Sequence, residues 1–344
     1  AVTLSGGDRV LTGSTINTQS TLAGGGNALT ITGAADIDGA YTNLASLNMT
    51  GVSNIGANVT TSGTQTYTGA ATVSAASTLS TTDSNVTFSN SLTLGDNLTV
   101  STGAGAGDIV VTGAIDGAKA LSLSAGTGAI TLSETLGQTT RLGAVALNSS
   151  GATTLAKAVK AASLMTNAGG TLLINGTSVD TTGTQTYGEA ITLGANTTLT
   201  GTSINTQSTL AGGGKTLTIT GAADIDGAYT GITNLSISGA SNIGANITTS
   251  GTQTYQGAVT LSGTDRTLTT TDSAVTFAST VNSEAGQDRA LTLALGSGQA
   301  TFGGVVGGTQ ALGAISITGV LDLNAAVAGA ASLSVSSTAD LGAN

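Results

Sequence analysis

Along most of the chain, apolar and polar residues alternate one by one in short runs. Leu29 and Ile31, Leu47 and Met49, Leu92 and Leu94, Leu121 and Leu123, Ile130 and Leu132, and Ile315 and Ile317 are examples; Leu291, Leu293 and Leu295 form a longer one. A period of two marks a β-strand with one buried face, because successive side chains leave the pleat on opposite sides. Short Gly-containing turns separate the runs, the punctuation expected between strands. Helical spacing is nearly absent, and its best stretch, Leu155 to Met165, is Ala-rich and short. The pattern predicts an all-β chain.

Self-comparison turns that pattern into an architecture, because an internal period decides the fold of a repeat protein. The segment 11–70 matches 199–258 at a constant offset of 188. INTQSTLAGGG starts at Ile16 and Ile204, LTITGAADIDGAYT at Leu29 and Leu217, and SNIGAN at Ser53 and Ser241. GTQTY occurs three times, from Gly63, Gly183 and Gly251. Two long units follow, 1–189 and 190–344, read as one continuous solenoid. AVTLSGGDRVLT at Ala1 repeats AVTLSGTDRTLT at Ala258, and Asn344 falls opposite Asn175. Both ends therefore read as cuts in a longer array, since solenoids close with atypical capping coils.

The two units differ by a clean loss. Phe88 pairs with Phe277 at an offset of 189, and Leu142 with Leu312 at an offset of 170. The second unit has thus lost about 19 residues with its repeat pattern intact on either side. A stack of coils tolerates the loss of one whole turn and no fraction of one, so each coil is expected to hold about 19 residues. Exchanges between units keep one face aliphatic: Leu44 becomes Ile232, Met49 becomes Ile237 and Val59 becomes Ile247, while outward Asn48 becomes Ser236. The predicted fold is a parallel β-helix, or β-solenoid.

Composition sharpens the picture. The 344 residues include 52 Gly and no Pro, Cys, His or Trp; 8% are charged and 39% hydrophobic. Stacked coils place equivalent residues above one another, so like charges would repel and Thr or Ser would form outer ladders. Proline would remove a ladder donor. With only 3 Phe and 5 Tyr, the interior is expected to be too narrow for bulky rings. The net charge of −10 is spread thinly and no basic run occurs, which gives nucleic acid no electrostatic footing. No run of about 20 apolar residues exists to span a membrane as a helix. Without His or Cys, nucleophile–base catalysis has no obvious participants.

The chain resembles the repeat stalks of large secreted bacterial adhesins of the filamentous haemagglutinin type. The resemblance rests on the short coil period, on the recurrent GTQTY-x-x-A-x-T-L phrase, and on the stretch from Thr280 to Gly319. It implies a right-handed parallel β-helix, export by two-partner secretion or as an autotransporter passenger, and a place on the surface of a Gram-negative bacterium. It also implies a structural, non-enzymatic role supporting adhesion or building an extracellular filament; the alternative readings are a carbohydrate-acting β-helix enzyme of the polysaccharide-lyase kind and an adhesin module that itself binds a ligand. The partners would be further copies of its own repeats, neighbouring fibres, or a host glycan or protein. Some relatives carry sugars on Asn-x-Ser/Thr triplets, of which Asn58, Asn97, Asn175, Asn196 and Asn246 are examples here.

The residues offer one candidate for chemistry. ADIDGAY places Asp36 and Asp38 two apart, and Asp224 and Asp226 repeat the pair. Two carboxylates at i and i+2 of a strand point the same way and could hold Ca²⁺, as acidic clusters do in β-helical polysaccharide lyases. The plainer reading makes them turn residues before Gly39 and Gly227 that accept backbone hydrogen bonds. No cofactor is expected other than that possible Ca²⁺.

Overall fold

The computed structural model describes residues 1–342, which form 39 strands and no helix. Every strand pair given a register is parallel. The chain folds as two compact units, Ala1–Gly176 and a second beginning at Thr177. Each is a parallel β-solenoid. The helix-like stretch Leu155 to Met165 belongs to the strands Ala152–Leu155 and Val159–Thr166. Its alternating burial and parallel neighbours override a weak helical composition.

In the first unit each coil contributes to three strand columns. One column runs Val2, Leu22, Tyr41, Val59, Leu79, Val100, Leu123, Leu147 and Thr166, each residue opposite the next. A second stacks Leu29, Leu47, Gln65, Val86, Ile109 and Ile130. A third stacks Ala35, Ser53, Ala71, Leu92 and Ile115. The second unit repeats the device, for example Leu217, Leu235, Gln253, Val275, Ala300 and Leu321.

Register measures the coil directly. Val2 reaches Thr166 in eight coil steps, which puts the average coil at about 20 residues and close to the expected value. The steps are uneven: Tyr41 meets Val59 in a short one, whereas Val275 meets Ala300 only after a much longer one. The loss read from the repeat offsets is accordingly a net figure. Leu79 reaches Leu123 in two coils, whereas their counterparts Leu268 and Leu293 are joined by one. The second unit has one coil fewer, and its remaining coil is a few residues longer at the corners.

The interior is a set of aliphatic ladders. Leu44, Met49, Val59, Ile232, Ile237 and Ile247 are all buried, so the exchanges between units fall on inward positions. Each such side chain contributes roughly 1.5–3 kcal/mol on burial. The rings contradict the expectation of a core too narrow for them: all five Tyr and all three Phe are buried inside. They fit because parallel stacking lays like upon like. Tyr67 stacks on Phe88 with centroids 4.7 Å apart, and Phe277 lies between Tyr255 at 5.2 Å and Phe302 at 5.1 Å. The coil spacing of about 4.8 Å is itself a stacking distance.

In several coils one corner is held by glycine because backbones touch there. A Cβ on Gly51 would lie 2.1 Å from Gly33 O, and one on Gly69 would lie 2.3 Å from Gly51 O. Gly239 and Gly257 repeat this against Gly221 and Gly239 at 2.3 Å each. That corner lies between the second and third columns, beside the candidate aspartates.

Candidate functional site

Asp36 is the penultimate residue of the strand Leu29–Ile37, and its alternation with buried Ala35 and Ile37 sends its side chain outward. Asn17 and Asn54 are its register partners in the preceding and following coils. Asn17 Nδ2 donates to Asp36 Oδ2 at 3.0 Å, and Asn54 Nδ2 donates to Asp36 Oδ1 at 2.7 Å. The carboxylate is thus one rung of an Asn–Asp–Asn ladder. Asp38 lies beyond the strand end, exposed, with its backbone N–H bonded to Thr18 O at 3.0 Å. In the second unit Asn242 Nδ2 donates to Asp224 Oδ1 at 2.8 Å, and Asn205 stands opposite Asp224. Asp226 is exposed, and its carboxyl is held above the ordinary value by desolvation first and by the neighbouring Asp224 charge second.

The Asp36 carboxylate is already engaged on both sides by its own neighbours. Both sides of Asp36 are occupied by amide NH₂ groups, which present hydrogens where a metal needs oxygen donors. Among the described residues no group of three or more acidic side chains converges. The turn reading needs amendment too, because Asp36 accepts from side-chain amides of adjacent coils where backbone donors were expected. Such charge-assisted bonds tie three coils together on the outer face.

The most elaborate polar construction is inside the solenoid, in the GTQTY phrase. Gln65 and Tyr67 both face inward and are fully buried. Gln65 Nε2 donates to Ser80 O at 2.9 Å, to Val59 O at 3.2 Å and to Thr61 Oγ1 at 3.4 Å, and Oε1 accepts the Tyr67 hydroxyl at 3.0 Å. Gln185 with Tyr187 and Gln253 with Tyr255 repeat every one of these bonds. The remaining two tyrosines meet threonines: Tyr41 with Thr18 and Tyr229 with Thr206, both at 2.9 Å. Burial raises the pKa of all five phenols above the ordinary tyrosine value. The sequence signal for this brace was the threefold recurrence of GTQTY, whose Gln reads as outward on polarity alone.

The outer corners carry a second recurring bond. Asn58 Oδ1 accepts the N–H of Thr78 at 2.8 Å, Asn97 that of Ala120 at 2.9 Å, Asn196 that of Thr216 at 3.0 Å and Asn246 that of Thr267 at 3.0 Å. Asp8 and Asp265 do the same for Ala28 and Ala290. Of the five triplets named above, four have their asparagine at a corner, with the amide oxygen engaged by the next coil; Asn175 is exposed.

The surface has shallow grooves. One in the first unit, about 430 Å³, is lined by Ala34, Ala35, Val52, Ser53, Asn54, Ala70 and Thr72, none of them titratable. Among the described residues no helix is long and apolar enough to cross a membrane. The chain matches no protein-family model, no curated protein and no solved structure.

Proposed function

We propose that the chain is a structural stalk or fibre segment of a large extracellular bacterial surface protein, supporting adhesion or building a filament. One observation carries this reading. Within each unit the coils are variations on one three-strand device, and the two units differ by one whole coil. Interchangeable parts suit a scaffold that gains reach by repetition. An active site instead needs a unique constellation, and here the polar groups of highest order, the Gln–Tyr braces, are buried and recur three times. The resemblance to filamentous haemagglutinin-type stalks points the same way. On this reading the chain is secreted and non-enzymatic, and its partners are further coils of its own array and neighbouring fibres.

Electron microscopy of purified arrays with one, two and three copies of the repeat tests this. Thin unbranched particles whose length grows with copy number are expected. Compact particles of constant length would refute it.

A further inference from the structure

One corner contact occurs once in each unit and is built on a left-handed aspartate. Asp83 (φ 51°) and Asp272 (φ 48°) are two of the three non-glycine residues with positive φ among the described residues. Such a backbone is unfavourable for a residue with a Cβ and persists when its surroundings hold it. Both lie in Thr-Thr-Asp-Ser, residues 81–84 and 270–273. In each turn the first Thr hydroxyl donates to the Ser carbonyl, Thr81 to Ser84 and Thr270 to Ser273. The turn is therefore closed without help from the aspartate side chain.

That side chain reaches the following coil. Asp83 Oδ1 accepts the N–H of Gly105 at 2.6 Å. Asp272 Oδ1 accepts the N–H of Ser297 at 2.8 Å and its hydroxyl at 3.0 Å. The receiving loops are shaped around the carboxylate: a Cβ on Gly105 would lie 2.5 Å from Asp83 Cγ, and one on Gly296 would lie 2.3 Å from Asp272 Oδ1. The two loops have different sequences, Gly103-Ala104-Gly105-Ala106-Gly107 against Gly296-Ser297-Gly298. They also fall in the region where the second unit is one coil shorter. The contact is common to both units although the loop that receives it is not.

We propose that Asp272 is an acid-sensitive latch. As a carboxylate it fastens the glycine-bracketed Ser297 bulge of the next coil; on protonation the bond loses its charge assistance and the bulge loosens while the ladder on either side stays stacked. The strands do not depend on the latch, because Leu98–Ser101 and Leu291–Phe302 are held by parallel ladders on both sides. The latch is solvent-exposed, so it can bias a loop but not hold a coil.

Few other charges intrude. Residues 247–253, 291–302 and 312–321, on the coils around Asp272, include no charged side chain, and neither do 59–65 or 121–130 around Asp83. Asp108, at the end of the loop held by Asp83, is itself bonded to the N–H of Ala129 at 2.8 Å. The Ser297 N–H first, and then its hydroxyl, hold the Asp272 carboxyl below the ordinary aspartate value. A lowered folded-state value means the contact contributes fully above the ordinary carboxylate range. It is lost as pH falls through the lowered value.

Amide hydrogen exchange on the full chain, corrected for intrinsic rates, tests the latch between neutral pH and the acid side of the carboxylate range. Protection at Ser297 should fall several-fold on acidification while Leu291 to Ala294 keep theirs. Asp272→Asn keeps a neutral oxygen acceptor that cannot titrate, so Ser297 protection should be independent of pH and close to the acid-side level of the parent chain. Asp272→Ala should leave Ser297 unprotected throughout. Ser297 protection that ignores pH in the parent chain would overturn the proposal. So would loss only together with the strands, or pH sensitivity that survives Asp272→Asn. The asparagine variant keeps the question answerable if the alanine variant does not fold.

Discussion

Replacing Gln65 with Ala removes the hub of one internal brace. The Tyr67 hydroxyl loses its acceptor at 3.0 Å and Val59 O a donor at 3.2 Å in a buried setting, and part-buried Ser80 O loses a donor at 2.9 Å. An orphaned buried polar group costs about 1–3 kcal/mol, and the vacated amide volume adds about 1 kcal/mol. The expected loss is about 3–4 kcal/mol in the coils around residue 65. Tyr67→Phe should cost less, about 1–2 kcal/mol, because it orphans only Gln65 Oε1. The double variant should fall short of the sum by about 1 kcal/mol or more, since both changes break the same bond. Coil arrays need not unfold in one step, so amide exchange at Tyr67 and Val86 is the measurement, with Thr66→Ala on the outer face as control. A Gln65→Ala loss no larger than that of Thr66→Ala would refute the brace as a stabilising element. Gln185→Ala and Gln253→Ala should behave alike, because their bonds are the same.

Deleting residues 98–120 removes one coil in register, as Leu121 takes the place of Leu98. Circular dichroism should show β-structure retained, whereas deleting only 98–108 should give an aggregated or unfolded product. Gly51→Ala forces a Cβ to 2.1 Å from Gly33 O. A loss of about 1–3 kcal/mol is expected in denaturant titration, typical of overpacking. The buried phenols stay neutral in the fold, while those of the unfolded chain ionise near pH 10. Stability should therefore be level below pH 10 and fall above it, with phenolate absorbance appearing together with loss of β-structure. Asp36→Ala leaves the Asn17 and Asn54 amides without their acceptor on an outer face. A cost of about 1 kcal/mol is expected, and added Ca²⁺ should leave the melting temperature of the parent chain unchanged.

Strand positions and the coil were legible because alternation reports the pleat and a parallel stack forgives only whole turns. The inward set Leu44, Met49 and Val59 came directly from that logic. Coil-by-coil lengths were hidden, since a single net difference between the units mixes one lost coil with lengthened corners. The aromatic interior was misjudged because a cross-section suggests how wide a ring is, while stacking decides whether it fits. The Gln–Tyr brace escaped polarity-based reading: Gln65 shares its face with Tyr67, and only the partners from other strands make burial of an amide tolerable. Asp36 was recognised as notable, but its partners are distant in sequence and become neighbours only through the register.

The uneven coils, as short as Tyr41 to Val59 and as long as Val275 to Ala300 on strands in register, bear on how such a gene can change. Misaligned recombination between near-identical repeats swaps segments that begin and end at equivalent rungs. Each event then adds or removes whole layers of about 4.8 Å, while point insertions are taken up at the corners. Length and surface texture can thus drift independently in a lineage, with no selection needed to repair the core after either.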